Sequence, residues 1–338
     1  MKTIRLKIIM GIMLCSLVTA AIIGILSIRS TMKITEKKSR ENMNYRAETL
    51  VNEMNASISR AEQSVNTLAD IVVSRLDEDQ FFSDMEYADR FTEEVLDIVF
   101  LFSEKTEGTI TSYIRYNPEY SNPTSGCFLT RDNVNDPFTA VTPTDFSMFE
   151  PDDLEHVGWY YIPVQNGAPI WMDPYLNSNI NVYMISYVVP IYSEDGTSIG
   201  IVGMDIAFTS LTDMVEAVDF IDKGYGFITN SNGEILYHKD IENGTSLASL
   251  DKSLSGIEDF ISSDNSKQDT FEYSYKKTKK MLVSKTLRNG MILMLTAPKS
   301  EIFSEAYSLL YTIIGAVIIA LIVCAIVGIL VGNGLSKP

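Results

Sequence analysis

The sequence predicts an α+β protein: a long N-terminal stalk helix carrying two tandem antiparallel-sheet modules, flanked by two transmembrane helices. Three observations lead there. Two uncharged apolar runs stand near the two ends of the 338-residue chain. Residues 32–76 contain neither Gly nor Pro, and their apolar positions recur at helical spacing. Beyond them, short runs rich in β-branched and aromatic residues alternate with turn signals.

The first apolar run, residues 8–28, carries no charge over 21 positions and follows a seven-residue N-terminus, 1–7. It can cross a hydrocarbon layer of about 30 Å as a helix. It exceeds the roughly 7–15 apolar residues of a signal peptide and no small-x-small cleavage site follows it, so an uncleaved anchor is expected. The second run, residues 309–331, is a membrane helix by the same measure. All 44 acidic residues lie between 29 and 308, against 23 of the 27 basic ones. So acidic a block excludes nucleic acid as a partner. Flanking basic residues occur on both sides of the first anchor, but long domains translocate largely regardless of them. Both termini are therefore expected in the cytoplasm, with the block outside a cell membrane crossed twice.

The stalk, residues 29–76, places Met43, Ala47, Leu50, Met54, Ile58, Ala61, Val65, Leu68 and Val72 on one stripe. Residues 96–103, 109–116, 168–175, 182–193 and 198–208 read as strands, and 209–220 as a helix. A second, smaller series follows at 224–230, 234–240, 269–287 (broken by a basic turn) and 290–298. Hairpin-length connections make both sheets antiparallel.

Catalytic patterns are not found. The two histidines, His156 and His238, are far apart and in no metal-binding spacing. No Gly-x-Ser-x-Gly elbow or phosphate loop occurs, so neither an enzyme nor a cofactor is expected. Cys15 and Cys324 lie in the apolar runs, which leaves Cys127 without a disulfide partner.

Binding is better supported. Alternation along 168–175 puts Trp171, Asp173, Tyr175 and Asn177 on one face of a strand. Asp205 interrupts an otherwise apolar strand, and burying an unpaired carboxylate is costly. Each aspartate either pairs internally, with backbone donors, a lysine or Arg115, or faces a cavity that an incoming ammonium or hydroxyl group completes. Trp159 and Tyr160 would add aromatic walls and a cation–π surface. The expected site is therefore Arg115, Trp159, Tyr160, Trp171, Asp173, Tyr175 and Asp205, with Val164, Ile170 and Met172 holding the sheet.

The segments "YIRYNP", "SGCF", "VGWYYIP", "PIWMDPYLN", "ISYVVPIY", "GIVGMDI" and "GYGFITNSNGEILYH", in this order, resemble the double-Cache (tandem PAS-like) extracytoplasmic sensor of bacterial transmembrane receptors, over about residues 33–300. The resemblance implies a membrane-distal module at 77–215 that binds a small polar ligand, and a proximal module at 216–300. Amino-acid-binding members carry an Arg-x-Trp-Tyr run, a Pro-Tyr-x-Asp and a Gly-x-Asp. Trp159, Tyr160, Tyr175 and Asp205 match, and the last implies a contact to a ligand amino group. Val157 stands where the carboxylate-binding arginine belongs and Asn177 replaces an aspartate, which points towards an amine or another small polar metabolite at least as much as towards an amino acid. Residues 332–338 resemble the entrance of a HAMP linker. The arrangement is commonest in methyl-accepting chemotaxis receptors, though diguanylate cyclases and sensor histidine kinases use near-identical sensors, and a membrane-anchored scaffold for a protein partner stays open. Small residues at Ala316, Ala320 and Cys324, with Gly328 and Gly332, suit a homodimer in the membrane.

Overall fold

The computed structural model describes residues 2–177, 182–262 and 270–334. Helix α1, Lys2–Arg75, is continuous through the first apolar run and the stalk. At 1.5 Å per residue it is about 110 Å long. All nine apolar positions of the predicted stripe are buried, because the two sheets lie along that side of the helix.

Helices α2 (Glu78–Ser83) and α3 (Tyr87–Lys105) follow. The strand expected at 96–103 is therefore the C-terminal half of a helix. Phe91, Val95, Val99 and Ser103 are buried at helical spacing, a period that an eight-residue window is too short to reveal. Strands β1 (Thr109–Tyr116), β2 (Gly126–Thr130) and β3 (Thr139–Val141) come next, then α4 (Leu154–Asn166). The segment expected as one strand at 168–175 is two short ones, β4 (Ile170–Trp171) and β5 (Tyr175–Asn177). Strands β6 (Val182–Tyr192) and β7 (Ser198–Ala207) complete a seven-stranded antiparallel sheet in the order β3-β2-β1-β7-β6-β4, with β5 also on β6.

Helix α5 (Thr209–Glu216) leads to β8 (Tyr225–Thr229) and β9 (Ile235–Tyr237). After α6 (Leu247–Leu250) and α7 (Ser255–Ser262) come β10 (Phe271–Tyr275), β11 (Thr278–Thr286) and β12 (Ile292–Pro298). These five strands form a second antiparallel sheet, β10-β11-β12-β8-β9. Short α8 (Lys299–Ile302) then joins α9 (Ser304–Gly334), which contains the second apolar run. Helices α1 and α9 each carry a stretch long and apolar enough to cross a membrane. They run side by side, and a Cβ on Gly24 would meet Ile313 at 3.9 Å. Residues 335–338, the end of the HAMP-like stretch, lie outside the described residues.

Each sheet turns one face to α1. On the seven-stranded sheet, Ile114, Tyr116, Val202 and Met204 share a core with Val65, Leu68 and Val72 of α1 and Val95 and Val99 of α3. On the five-stranded sheet, Ile228, Met281, Val283, Leu293 and Leu295 pack with Met43, Ala47 and Met54 of α1. The opposite faces are covered by α4 on the larger sheet and by α6 and α7 on the smaller.

Candidate functional site

Asp205 lies on β7 and points away from α1, since its neighbours Met204 and Ile206 point towards it. In register it stands between Thr111 on β1 and Ser186 on β6. Thr111 donates its hydroxyl to Asp205 Oδ2. Tyr113 Oη lies 3.4 Å from Oδ1, and Tyr175 Oη lies 3.5 Å from Oδ2. The Ser186 hydroxyl faces the same group, but among the described residues Ser186 Oγ reaches no hydrogen-bonding geometry. The carboxylate is thus buried among hydroxyls, and among the described residues no lysine or arginine pairs with it. Burial pushes its pKa up to about 6, against the pull of the hydroxyl donors. The Tyr113 and Tyr175 hydroxyls are pushed up in turn, first by burial and then by the neighbouring carboxylate.

Gly203 makes this arrangement possible. A Cβ there would lie 2.4 Å from the Tyr113 ring. The bare backbone lets the ring lie down on the sheet with its hydroxyl towards Asp205.

Helix α4 roofs the same face. Asp153 caps its first turn through the His156 N–H, and Gly167 ends it in the left-handed conformation at φ 66°. Val157 and Tyr160 are buried against the sheet, and Trp159 is half-buried with its ring 5.3 Å from that of Tyr113. The Trp159 N–H is already used on the His156 carbonyl, at 2.8 Å, so its contribution is the aromatic surface. Tyr160 packs on Phe146 at 4.7 Å.

Arg115, four residues along β1 from Thr111, is fully buried. Its Nε donates to the Ser125 carbonyl at 3.1 Å, and Nη2 to those of Pro123 and Thr144 at 2.9 and 2.8 Å. The guanidinium lies over the Phe146 ring at 4.2 Å. It therefore ties the turn between β1 and β2 to the segment between β3 and α4. Only Nη1 lacks a partner among the described residues, and burial lowers the pKa to about 10.

Trp171 and Asp173 stand elsewhere. Trp171 pairs with Tyr187, whereas Tyr175 pairs with Met184. Five residues, Trp171 to Tyr175, thus oppose four, Tyr187 to Met184. This one-residue shift puts Trp171 and Tyr175 on opposite faces. Trp171 turns to α1, with its N–H on Glu62 Oε1 at 3.0 Å and its ring 5.0 Å from Tyr187. Asp173 lies exposed in the break. Met172 and Val164 pack with Tyr113, Val157, Val188 and Ile201, between the sheet and α4. The Asn177 side chain lies outside the described ones. Thr111, Tyr113, Ser186 and Gly203 were not among the expected site residues. Their signal was available, because Thr111 and Tyr113 alternate with Arg115 in "TITSYIRY", but it required the β1–β7 register.

Residues 31–306 match a family model described as the Cache domain. The chain belongs to the Cache domain family. The two sheets carried in tandem by α1 form a double-Cache domain, similar to the sensor domains of chemotaxis-type receptors. The methyl-accepting chemotaxis protein PctB of Pseudomonas aeruginosa is 25% identical over 121 residues, 36% of this chain and 17% of that one. McpG of Pseudomonas putida, another such protein, is 30% identical over 82 residues, 24% and 12% of the two chains. The matched stretch thus spans less than a fifth of these longer relatives. Among solved structures, the extracellular domain of the proposed histidine kinase mmHK1S-Z3 superposes with a TM-score of 0.60 at 20% identity, over 82% of this chain and 99% of that one. The sensory domain of the Campylobacter jejuni chemoreceptor Tlp3, solved with isoleucine bound, gives 0.57 at 12% identity, over 80% and 96%. At these identities the likeness is one of fold.

Proposed function

We propose that this Cache domain protein is the sensory part of a transmembrane receptor of the chemotaxis type, acting without catalysis. Its membrane-distal unit, residues 77–215, would bind a small polar molecule through a cationic amino group at Asp205. One observation carries this reading: a buried carboxylate ringed by hydroxyls, with no cation beside it among the described residues. An incoming ammonium supplies the missing charge and donates to the same oxygens. Val157 is apolar and buried where an amino-acid receptor of this family would place arginine. An amine therefore fits at least as well as an α-amino acid, whose carboxylate would have to find Arg115 Nη1.

The proximal unit, 216–300, would pass the change to the membrane, with both termini cytoplasmic and the sensor outside, in a homodimer whose helices rearrange by 1–2 Å. The mmHK1S-Z3 likeness leaves the histidine-kinase output as a second reading of the same sensor.

The test is a ligand screen on the purified full chain, followed by melting temperature, with amines, amino acids, carboxylates, sugars and purines. A ligand at a hundredfold excess over Kd adds about 2.7 kcal/mol to stability. An amine-bearing class should shift the melting point, and Asp205→Ala should remove the shift. A folded chain that responds to none of them would sink the small-molecule reading and favour a protein partner.

A further inference from the structure

The direction of the strands in the five-stranded sheet fixes which of its ends faces the apolar runs of α1 and α9. The β11–β12 turn lies well above the apolar run of α1, where the Arg288 N–H donates to Asn55 Oδ1. Lower down, Glu272 on β10 pairs with Arg40 and stands opposite Met281 on β11. Strand β12 therefore descends along α1 and passes through Pro298 and α8 into α9, whose Phe303 and Ala306 share a core with Met32 of α1. Strand β11 runs the opposite way, and Lys280 stands opposite Pro298. The tip of the β10–β11 hairpin thus projects about 10 Å beyond Pro298, towards the apolar runs. Tyr307 and Tyr311, exposed on the opening turns of α9, suit a lipid–water boundary there.

This tip is basic. Tyr275 pairs with Thr278, which leaves Lys276 and Lys277 as a two-residue turn with positive φ at both, 49° and 63°. Such turns favour Asn-Gly, because most side chains are disfavoured in that conformation. Two lysines are thus kept where the backbone alone would select against them. Lys276, Lys277, Lys279 and Lys239 are exposed, and Lys280 is half-exposed. The Lys280 ammonium donates to Tyr225 Oη at 2.9 Å. Lys239 Nζ lies 4.7 Å from the Tyr225 ring centroid, and Lys276 Nζ lies 5.2 Å from that of Tyr275. Among the described residues none of these five lysines forms an ion pair, whereas Lys223 and Lys299 at the same end are paired with Glu301 and Glu272. The carboxylate felt by Lys280 is Asp240, at Coulombic range rather than in contact. In a chain with 44 acidic and 27 basic residues, these ammonium groups are gathered without a contacting counter-charge. They repel one another and are relieved by an anionic surface.

We propose that the β10–β11 hairpin docks on anionic phospholipid headgroups of the leaflet beneath it, with Lys276 and Lys277 at the phosphates. The proposal rests on the reading that α1 and α9 cross the membrane, and on no ligand at Asp205. Strand β11 pairs along its length with β12, which leads into α9. Lipid charge therefore acts on that helix as a second input, separate from the one at Asp205.

The test places the full chain in nanodiscs of phosphatidylcholine, or of an equimolar mixture with phosphatidylglycerol, and follows amide hydrogen exchange in the hairpin. Phosphatidylglycerol should slow exchange there severalfold, and high salt should abolish the difference. Lys276→Asn with Lys277→Gly removes two charges while installing the favoured turn, so this variant keeps its fold. Each lysine contributes about a fivefold preference for an anionic surface. The difference between the two lipids, which a stiffer turn does not create, should therefore be largely lost in this variant and persist in Asp205→Asn. Equal exchange in the two lipids would overturn the proposal, as would a difference that the double variant retains. Equal slowing by free glycerophosphate in phosphatidylcholine discs would also overturn it and assign the lysines to a soluble anion. A chain that does not enter the discs would instead overturn the membrane reading, and the docking with it.

Discussion

Among the described residues, the face of the seven-stranded sheet turned away from α1 carries a carboxylate with no cation beside it, and the corresponding side of the five-stranded sheet carries three ammonium groups with no carboxylate in contact. The covering layers differ as well. Asp205 lies mid-sheet beside a face roofed by the thirteen residues of α4 and is buried. Lys280 lies near a strand end and is half-exposed. The lesson is that an architecture repeated on one helix does not fix what it recognises. Charge is chosen by single residues on a shared face, and enclosure sets how strongly that charge is felt. A buried carboxylate changes its pKa and demands a partner, whereas a half-exposed lysine is screened by water.

Substitutions on either sheet test this contrast. The largest effect belongs to the common support. Leu293→Ala removes a fully buried side chain between the smaller sheet and α1. It should destabilise the protein by about 2–5 kcal/mol in chemical denaturation, while ligand affinity at Asp205 in the folded fraction stays unchanged. Next, Asp205→Ala should weaken binding of an amine ligand about a hundredfold by calorimetry, as expected for loss of a charge-assisted bond worth about 2–3 kcal/mol. An unchanged affinity would move the site away from this carboxylate.

The third is a pH dependence. Asp205 has a folded-state pKa of about 6, above its ordinary 3.8. Amine affinity should be level above about pH 7 and fall by about tenfold per unit below pH 6, as protons compete for the carboxylate. The stability of the empty protein should move the opposite way. The protonated carboxyl contributes stability that is fully present below about pH 4 and lost as the pH rises through about 6. Melting curves across this window, compared with Asp205→Asn, check both signs.

Smaller effects separate the two faces of the larger sheet. Trp171→Phe removes the bond to Glu62 and should cost about 1 kcal/mol of stability while leaving amine affinity within about twofold. Glu62 also pairs with Arg288 at 2.8 Å, beside the Asn55 bond to the Arg288 N–H. Trp171 thus belongs to a junction where α1 meets both sheets, and signalling readouts rather than affinity should register its loss. Asp173→Asn, at an exposed position, should change stability by no more than about 0.5 kcal/mol and affinity not at all.

Much of this was legible in the linear chain. The apolar stripe of α1 appears residue by residue, because a helix buries every third or fourth position whatever it packs against. Strands β1, β6 and β7 were read almost to the residue from β-branched and aromatic runs bounded by turns. Asp205 stood out because a carboxylate inside an apolar strand demands a partner. The helix at 87–105 was missed because residues 96–103 are apolar enough to pass for a strand when cut from the helix's first turns.

The exposed Asp173, the stalk-facing Trp171 and the hydroxyl ring around Asp205 were decided by tertiary structure alone. Which side chains meet across a sheet depends on register, and a single extra residue between Trp171 and Tyr175 reverses the face. Thr111 is ninety-four residues from the carboxylate it serves, and Lys239 is some forty from Lys276 and Lys280. Local sequence states what each strand buries on average. Only the pairing of strands, held on one long helix, determines which charges are left facing each other and which are left facing a space.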